Sequence, residues 1–102
     1  GPAPTPEAIE AVQAAALRAA EGLDAALKGG EREPEALAGK CAEVERSCQA
    51  LAATPGAGSC GALRGQAEAL QRAARNATIG ESTVADVATS VAALRVSLQP
   101  VR

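Results

Sequence analysis

The sequence of 102 residues contains no histidine, phenylalanine, tyrosine, tryptophan or methionine. Histidine is the side chain that titrates near neutral pH, so its absence removes the commonest general acid or base of an enzyme site. The absence of aromatic rings removes the surfaces on which bases, sugars and flat cofactors stack. The sequence therefore predicts a protein that is not an enzyme and binds no cofactor.

The sequence also lacks any dense cluster of charge of one sign. Residues 1–51 hold nine acidic and five basic side chains, and residues 52–102 hold three and five, for a formal net charge of −2. A nucleic-acid-binding surface needs a concentrated basic stripe. The apolar runs are short and interrupted by charge, which does not fit a membrane span. We expect neither nucleic acid nor a membrane as a partner.

Cysteine is scarce and odd in number. Cys41 and Cys48 fall in one predicted helix at a separation of roughly 10 Å, which is too far for a disulfide between them. We interpret these two cysteines as small core residues of a protein in a reducing compartment, the cytoplasm. A bridge from Cys60 to Cys41 or Cys48 is the alternative. A metal site is not expected, because three thiols without a histidine fall short of four clustered ligands.

The sequence is rich in alanine, with 27 residues, and its aliphatic side chains recur at steps of three and four. This spacing predicts amphipathic helices, which proline and glycine separate from one another. The four predicted helices cover about residues 6–28, 34–53, 60–77 and 83–99. Residues 1–4 are interpreted as a tag remnant and flexible lead, and residues 5–102 as a single helical-bundle domain.

Capping signals predict where these helices begin. Thr5 followed by Pro6 is typical of an N-cap and first helical residue, and Ser59 is the predicted N-cap of the third helix. Thr83 and Asp86 resemble a capping box at the start of the fourth. That segment is rich in valine, but its apolar spacing of three and four favours a helix over a strand.

Short linkers between long helices favour antiparallel neighbours. The predicted fold is therefore all-α, an antiparallel up-down-up-down four-helix bundle. The alternative is a three-helix bundle with one segment frayed or donated to a partner. In composition, the chain resembles the alanine-rich rod bundles of talin- and vinculin-type adhesion proteins, and residues 41–48 share this style of sequence.

The third and fourth predicted helices differ from the first two in their outer surfaces. The fourth carries few charges, and the third carries small residues at four-residue spacing, namely Gly61, Gly65, Ala69 and Ala73. A row of small residues lets a second helix approach closely, as an amphipathic partner helix does when it docks in a groove. The alternative is that this row packs inside the bundle.

We therefore predict a non-catalytic protein–protein interaction module of a larger cytoplasmic scaffold or adaptor protein, which docks a partner helix or short motif. The predicted partner-binding residues are Arg64, Gly65, Ala69, Arg72, Ala73, Arg75, Ser90 and Val96. The alternative function is a structural or oligomerisation domain that completes its core by self-association.

Two short motifs fit covalent modification. Asn76-Ala77-Thr78 matches the acceptor motif for asparagine-linked glycosylation, and Thr54 before Pro55 fits proline-directed phosphorylation. The odd number of cysteines argues against secretion. We therefore expect the glycosylation motif to be unused, and we expect Thr54 to be unmodified.

Overall fold

The computed structural model describes residues 3–98, which form four α-helices and no strand. The helices are α1 (Pro6–Lys28), α2 (Pro34–Ala52), α3 (Gly61–Arg75) and α4 (Glu81–Ser97). The predicted all-α four-helix bundle is confirmed, and its valine-rich fourth segment is helical. The predicted tag remnant at Gly1-Pro2 and the predicted end of the last helix at residue 99 lie outside the described residues.

Neighbouring helices along the chain pack against each other, and α4 also packs against α1. The contact between α3 and α4 is the smallest of the four. Because the three connections are short, successive helices reverse direction. The starts of α1 and α3 therefore share one end of a molecule that measures 46 × 26 × 17 Å.

Helix α1 begins where the sequence predicts. Thr5 is extended, with φ −73° and ψ 157°, and its Oγ1 accepts a hydrogen bond from the backbone N–H of Ala8 at 3.1 Å. Pro6 follows as the first helical residue, where its missing N–H leaves no donor unpaired. Helix α2 likewise begins at a proline, Pro34.

The predicted caps of α3 and α4 are wrong. Cys60, not Ser59, is the N-cap of α3, and its side chain is held in a disulfide rather than bonded to the helix backbone. Helix α4 begins at Glu81 after the extended Gly80, so Thr83 lies inside its first turn. Glycine is an acceptable N-cap, and an acidic residue in the first turn favours the helix dipole. With these two features α4 starts before Thr83, and the predicted capping box is not its beginning.

Helices α1 and α3 end in the same hydrogen-bonded motif. After α1, the N–H of Gly30 donates to Leu27 O and the N–H of Glu31 donates to Ala26 O. After α3, Ala77 occupies the position equivalent to Gly30. Both residues are left-handed, with φ 90° at Gly30 and φ 54° at Ala77. The motif favours glycine at this position, so Ala77 carries a backbone cost that Gly30 does not.

The core is built from small and medium-sized side chains. Leu23, Leu37 and Leu70 are fully buried, and so are alanines such as Ala20 and Ala67. The α2 core face includes Cys41 and Cys48, as the sequence predicts.

The connection between α2 and α3, residues 53–60, closes one end of the core. Ala57 is 1% exposed, and its carbonyl accepts a hydrogen bond from Nε2 of Gln13 at 2.9 Å. Gly58 has φ 107°, and a Cβ at this position would lie 3.1 Å from Cδ2 of Leu98. The loop is therefore packed against α1 and the end of α4.

Candidate interaction surface on α3 and α4

The row of small residues on α3 faces away from the core. Gly61, Gly65 and Ala69 are exposed, and Ala73 is half-buried. The core face of α3 consists instead of Leu63, Ala67, Leu70 and Ala74. The small side chains are thus available on the outside of the bundle.

Two clefts lie along the junction of α3 and α4. The cleft near the disulfide end has a volume of about 310 Å³, and its walls include Ala62 of α3 and Ser90 of α4. The second has a volume of about 210 Å³, and its walls include Ala69, Ala73 and Asp86. Alanine and serine side chains are too small to fill the space between two helices. This accounts for the small contact between α3 and α4.

A polar group in the second cleft lacks a partner. Gln66 lines this cleft, and its Nε2 reaches the backbone carbonyl of Asp86 at 3.5 Å. Its Oε1 is buried, and no donor among residues 3–98 bonds to it. A buried acceptor without a donor costs free energy, so a donor supplied from outside would be accepted favourably here.

The two clefts together form a groove along the junction of α3 and α4. The three predicted arginines do not all border this groove. Nε2 of Gln71 bonds Oε2 of Glu45 on α2 at 3.2 Å, which marks the side of α3 that faces α2. Arg64 and Arg75 lie seven and four residues from Gln71 and share that side. Arg72 lies three residues from Ala69, on the exposed crest of the helix. None of the three arginines lines either cleft, and Arg72 is the one that shares a side of α3 with the cleft residue Ala69.

The arginines of α3 are unpaired within the described chain. The two ion pairs of residues 3–98 lie within α1 and between α1 and α4, so none of the α3 arginines meets a carboxylate in that range. Arg72 and Arg75 are exposed and Arg64 is half-buried. Their charge is available to an acidic group of another molecule.

Of two further predicted residues, one lines a cleft and the other does not. Ser90 lines the cleft at the disulfide end. Val96 is 69% exposed but lines neither cleft. Ala93 of α4 also lines the first cleft and was not predicted, although it lies three residues from Ser90 and so shares its side of the helix.

The interpretation of Cys41 and Cys48 as unpaired core residues holds for Cys41 and is wrong for Cys48, which is buried but paired, as the alternative of a bridge to Cys60 predicts. Cys48 and Cys60 form a disulfide with a Cα–Cα distance of 5.5 Å. The loop of residues 53–60 folds back and brings Cys60 against the end of α2. Cys48 and Cys60 are 3% and 8% exposed, so the bond is part of the core.

Cys41 is the free thiol of the described chain and is fully buried. Burial, together with the nearby charge of Glu45, raises the pKa of Cys41 from 9.0 to about 11. The reactive form of cysteine is the thiolate, so Cys41 is poorly suited to act as a nucleophile.

The structure gives no support to a metal site or to modification of Thr54. No group of three or more potential metal ligands occurs among residues 3–98. Thr54 is half-buried, and its Oγ1 donates to the carbonyl of Ala50 at 2.8 Å. Within the part of the chain that the structure describes, no helix combines the length and apolar character needed to cross a bilayer.

Comparisons of this chain with protein-family models, with curated proteins and with solved structures find no match.

Proposed function

We propose that this chain is a non-catalytic protein–protein interaction module that binds an amphipathic helix of another protein along the junction of α3 and α4. The observation that supports this most directly is the incomplete packing of these two helices. It leaves two adjoining clefts with small and apolar walls.

The shape of the junction suits a helix. Ala69 and Ala73 on one wall and Ser90 and Ala93 on the other are small enough for a third helix axis to approach to about 8–10 Å. Apolar side chains of the partner, spaced at three and four residues, would enter the two clefts in succession.

The charges beside the groove define the orientation of the partner. Arg72 is exposed on the α3 side, and Asp86 lines the α4 side. A helix with acidic residues along the edge that meets α3, and a basic residue along the edge that meets α4, matches both walls. Such rim charges act mainly on the association rate and its salt dependence.

Two synthetic peptides with the same leucine stripe test this proposal. One carries glutamates on the edge that meets α3 and lysines on the other edge, and the second has these charges exchanged. We expect the first to bind more tightly, to lose affinity with added salt, and to shift the NMR amide signals of Ala69, Ala73 and Ser90. Equal binding of both peptides, or shifts confined to α1 and α2, would contradict the proposal.

Ala69→Arg tests the site itself, with Ala50→Arg on the exposed face of α2 as the matched control. We expect both variants to keep the helical signal and only Ala69→Arg to lose peptide binding. A folded Ala69→Arg that binds as well as the parent would place the site elsewhere. An unfolded variant would show that Ala69 belongs to the core, which also contradicts the proposal.

Self-association is the alternative function, and light scattering distinguishes it. A module for a separate partner is monomeric in the absence of peptide. A dimer that Ala69→Arg converts to a monomer would instead show that a second copy of the chain occupies the groove.

The buried disulfide bears on where such a module works. The prediction of a cytoplasmic protein depended on reduced cysteines, and the pairing of Cys48 with Cys60 removes that basis. We propose an oxidising compartment, where disulfides form and persist. Thiols alkylated in denaturant at the moment of cell lysis test this, because one modified cysteine indicates an oxidising compartment and three indicate the cytoplasm.

A further inference from the structure

The turn between α3 and α4 exposes the acceptor motif for asparagine-linked glycosylation, which the proposed partner binding does not involve. Asn76 follows the last residue of α3, and Asn76, Ala77 and Thr78 are all exposed. The side chain of Asn76 makes no hydrogen bond within residues 3–98. Its amide nitrogen is therefore free, and a group attached there would displace no contact of the fold.

The surrounding turn is held by its backbone. The N–H groups of Asn76, Ala77 and Thr78 donate to carbonyls in the last turns of α3 at 2.9–3.2 Å. The Thr78 hydroxyl makes only a long contact of 3.4 Å with the carbonyl of Ala73. A modified Asn76 side chain would thus extend into solvent from a turn that forms without it.

The disulfide changes the expectation for this motif. The odd number of cysteines argued against secretion, but Cys48 and Cys60 pair with each other and the remaining Cys41 is buried. A chain whose core contains a disulfide belongs in an oxidising compartment. In eukaryotic cells, the secretory pathway provides both that environment and asparagine-linked glycosylation.

We propose that Asn76 is an acceptor for asparagine-linked glycosylation, with a lipid-diphosphate-linked oligosaccharide as the donor. The amide nitrogen Nδ2 of Asn76 forms a bond to the anomeric carbon of the first sugar. The bond from that carbon to the diphosphate oxygen breaks, and the lipid diphosphate leaves with its electron pair. One amide proton passes to a base of the transferase, and no group is oxidised or reduced. The hydroxyl of Thr78 is the second recognition element of the motif.

This proposal is independent of peptide binding in the groove. The complete chain is expressed behind a cleavable secretory leader in a eukaryotic cell line. The intact mass of all translocated protein, from medium and cells, is measured before and after treatment with peptide-N-glycosidase F. We expect an added oligosaccharide mass that the enzyme removes, with conversion of Asn76 to aspartate in the corresponding peptide.

Four variants assign the modification to this motif. Asn76→Gln and Thr78→Ala should abolish the added mass, and Thr78→Ser should retain it. Thr89→Ala is the matched control, because Thr89 is an exposed threonine in α4 whose Oγ1 also bonds a backbone carbonyl. This variant should be modified like the parent.

Three results would overturn the proposal. One is translocated protein with the Cys48–Cys60 bond formed and Asn76 unmodified. Another is added mass that persists in Asn76→Gln or in Thr78→Ala. The third is translocated protein in which Cys48 and Cys60 stay reduced, because the disulfide is the reason to assign the chain to this pathway.

Discussion

Reduction of the Cys48–Cys60 disulfide should destabilise the folded protein without any substitution in the sequence. The two cysteines are separated by 12 positions along the chain. Closing a loop of this size lowers the entropy of the unfolded chain, which corresponds to about 3 kcal/mol of unfolding free energy. In a domain of this length, the melting temperature should fall by about 15 °C.

Thermal and urea unfolding followed by circular dichroism, with and without a phosphine reductant, measures this difference. Thiol counting in the denatured protein verifies the two states, with one thiol in the oxidised protein and three in the reduced one. The double variant Cys48→Ala, Cys60→Ala should not respond to the reductant, whereas Cys41→Ala should respond fully. Equal unfolding midpoints in samples with one and with three thiols would refute the entropic argument.

Two other predictions concern single positions. Ala77→Gly should raise the unfolding free energy by about 1 kcal/mol and Gly30→Ala should lower it by a similar amount, because both residues occupy the left-handed position of the same helix-ending motif; urea unfolding of both variants checks the opposite signs. The buried thiol of Cys41 should stabilise the fold below pH 9 and lose this contribution between pH 9 and 11, since the unfolded chain ionises at the lower pKa. The difference in unfolding free energy between the parent and Cys41→Ala should therefore shrink across that range, and a constant difference would contradict it.

The helical fold could be predicted because its main determinant is local. The apolar residues of each segment recur at helical spacing, and prolines or glycines mark the connections. The errors at the helix starts have non-local or competing causes. The N-cap of α3, Cys60, is bonded to Cys48 in another helix, a pairing that helical spacing does not reveal. At α4, the N–H of Val84 donates to the carbonyl of Gly80, which starts the helix before Thr83.

The candidate site could be predicted only in part. Helical spacing gives the angle between two residues of one helix, so the exposure of Gly65 and Ala69 follows from the burial of Leu63 and Leu70. It does not say on which side of α3 the neighbours α2 and α4 pack. The sequence therefore grouped Arg64 and Arg75 with the groove residues, although these two arginines lie on the side that faces α2.

The size of the core connects the disulfide to the compartment in which the protein works. Within residues 3–98, the 20 buried hydrophobic residues include no aromatic side chain, and six of them are alanines. Burying an alanine methyl contributes far less than burying a leucine or phenylalanine side chain. Domains are commonly stable by about 5–15 kcal/mol, and a core of this composition belongs at the lower end. About 3 kcal/mol from one bond is then a large share of the total. In a reducing compartment the chain would lose that share, so the folded fraction, and with it any partner binding in the groove, should depend on oxidation of Cys48 and Cys60.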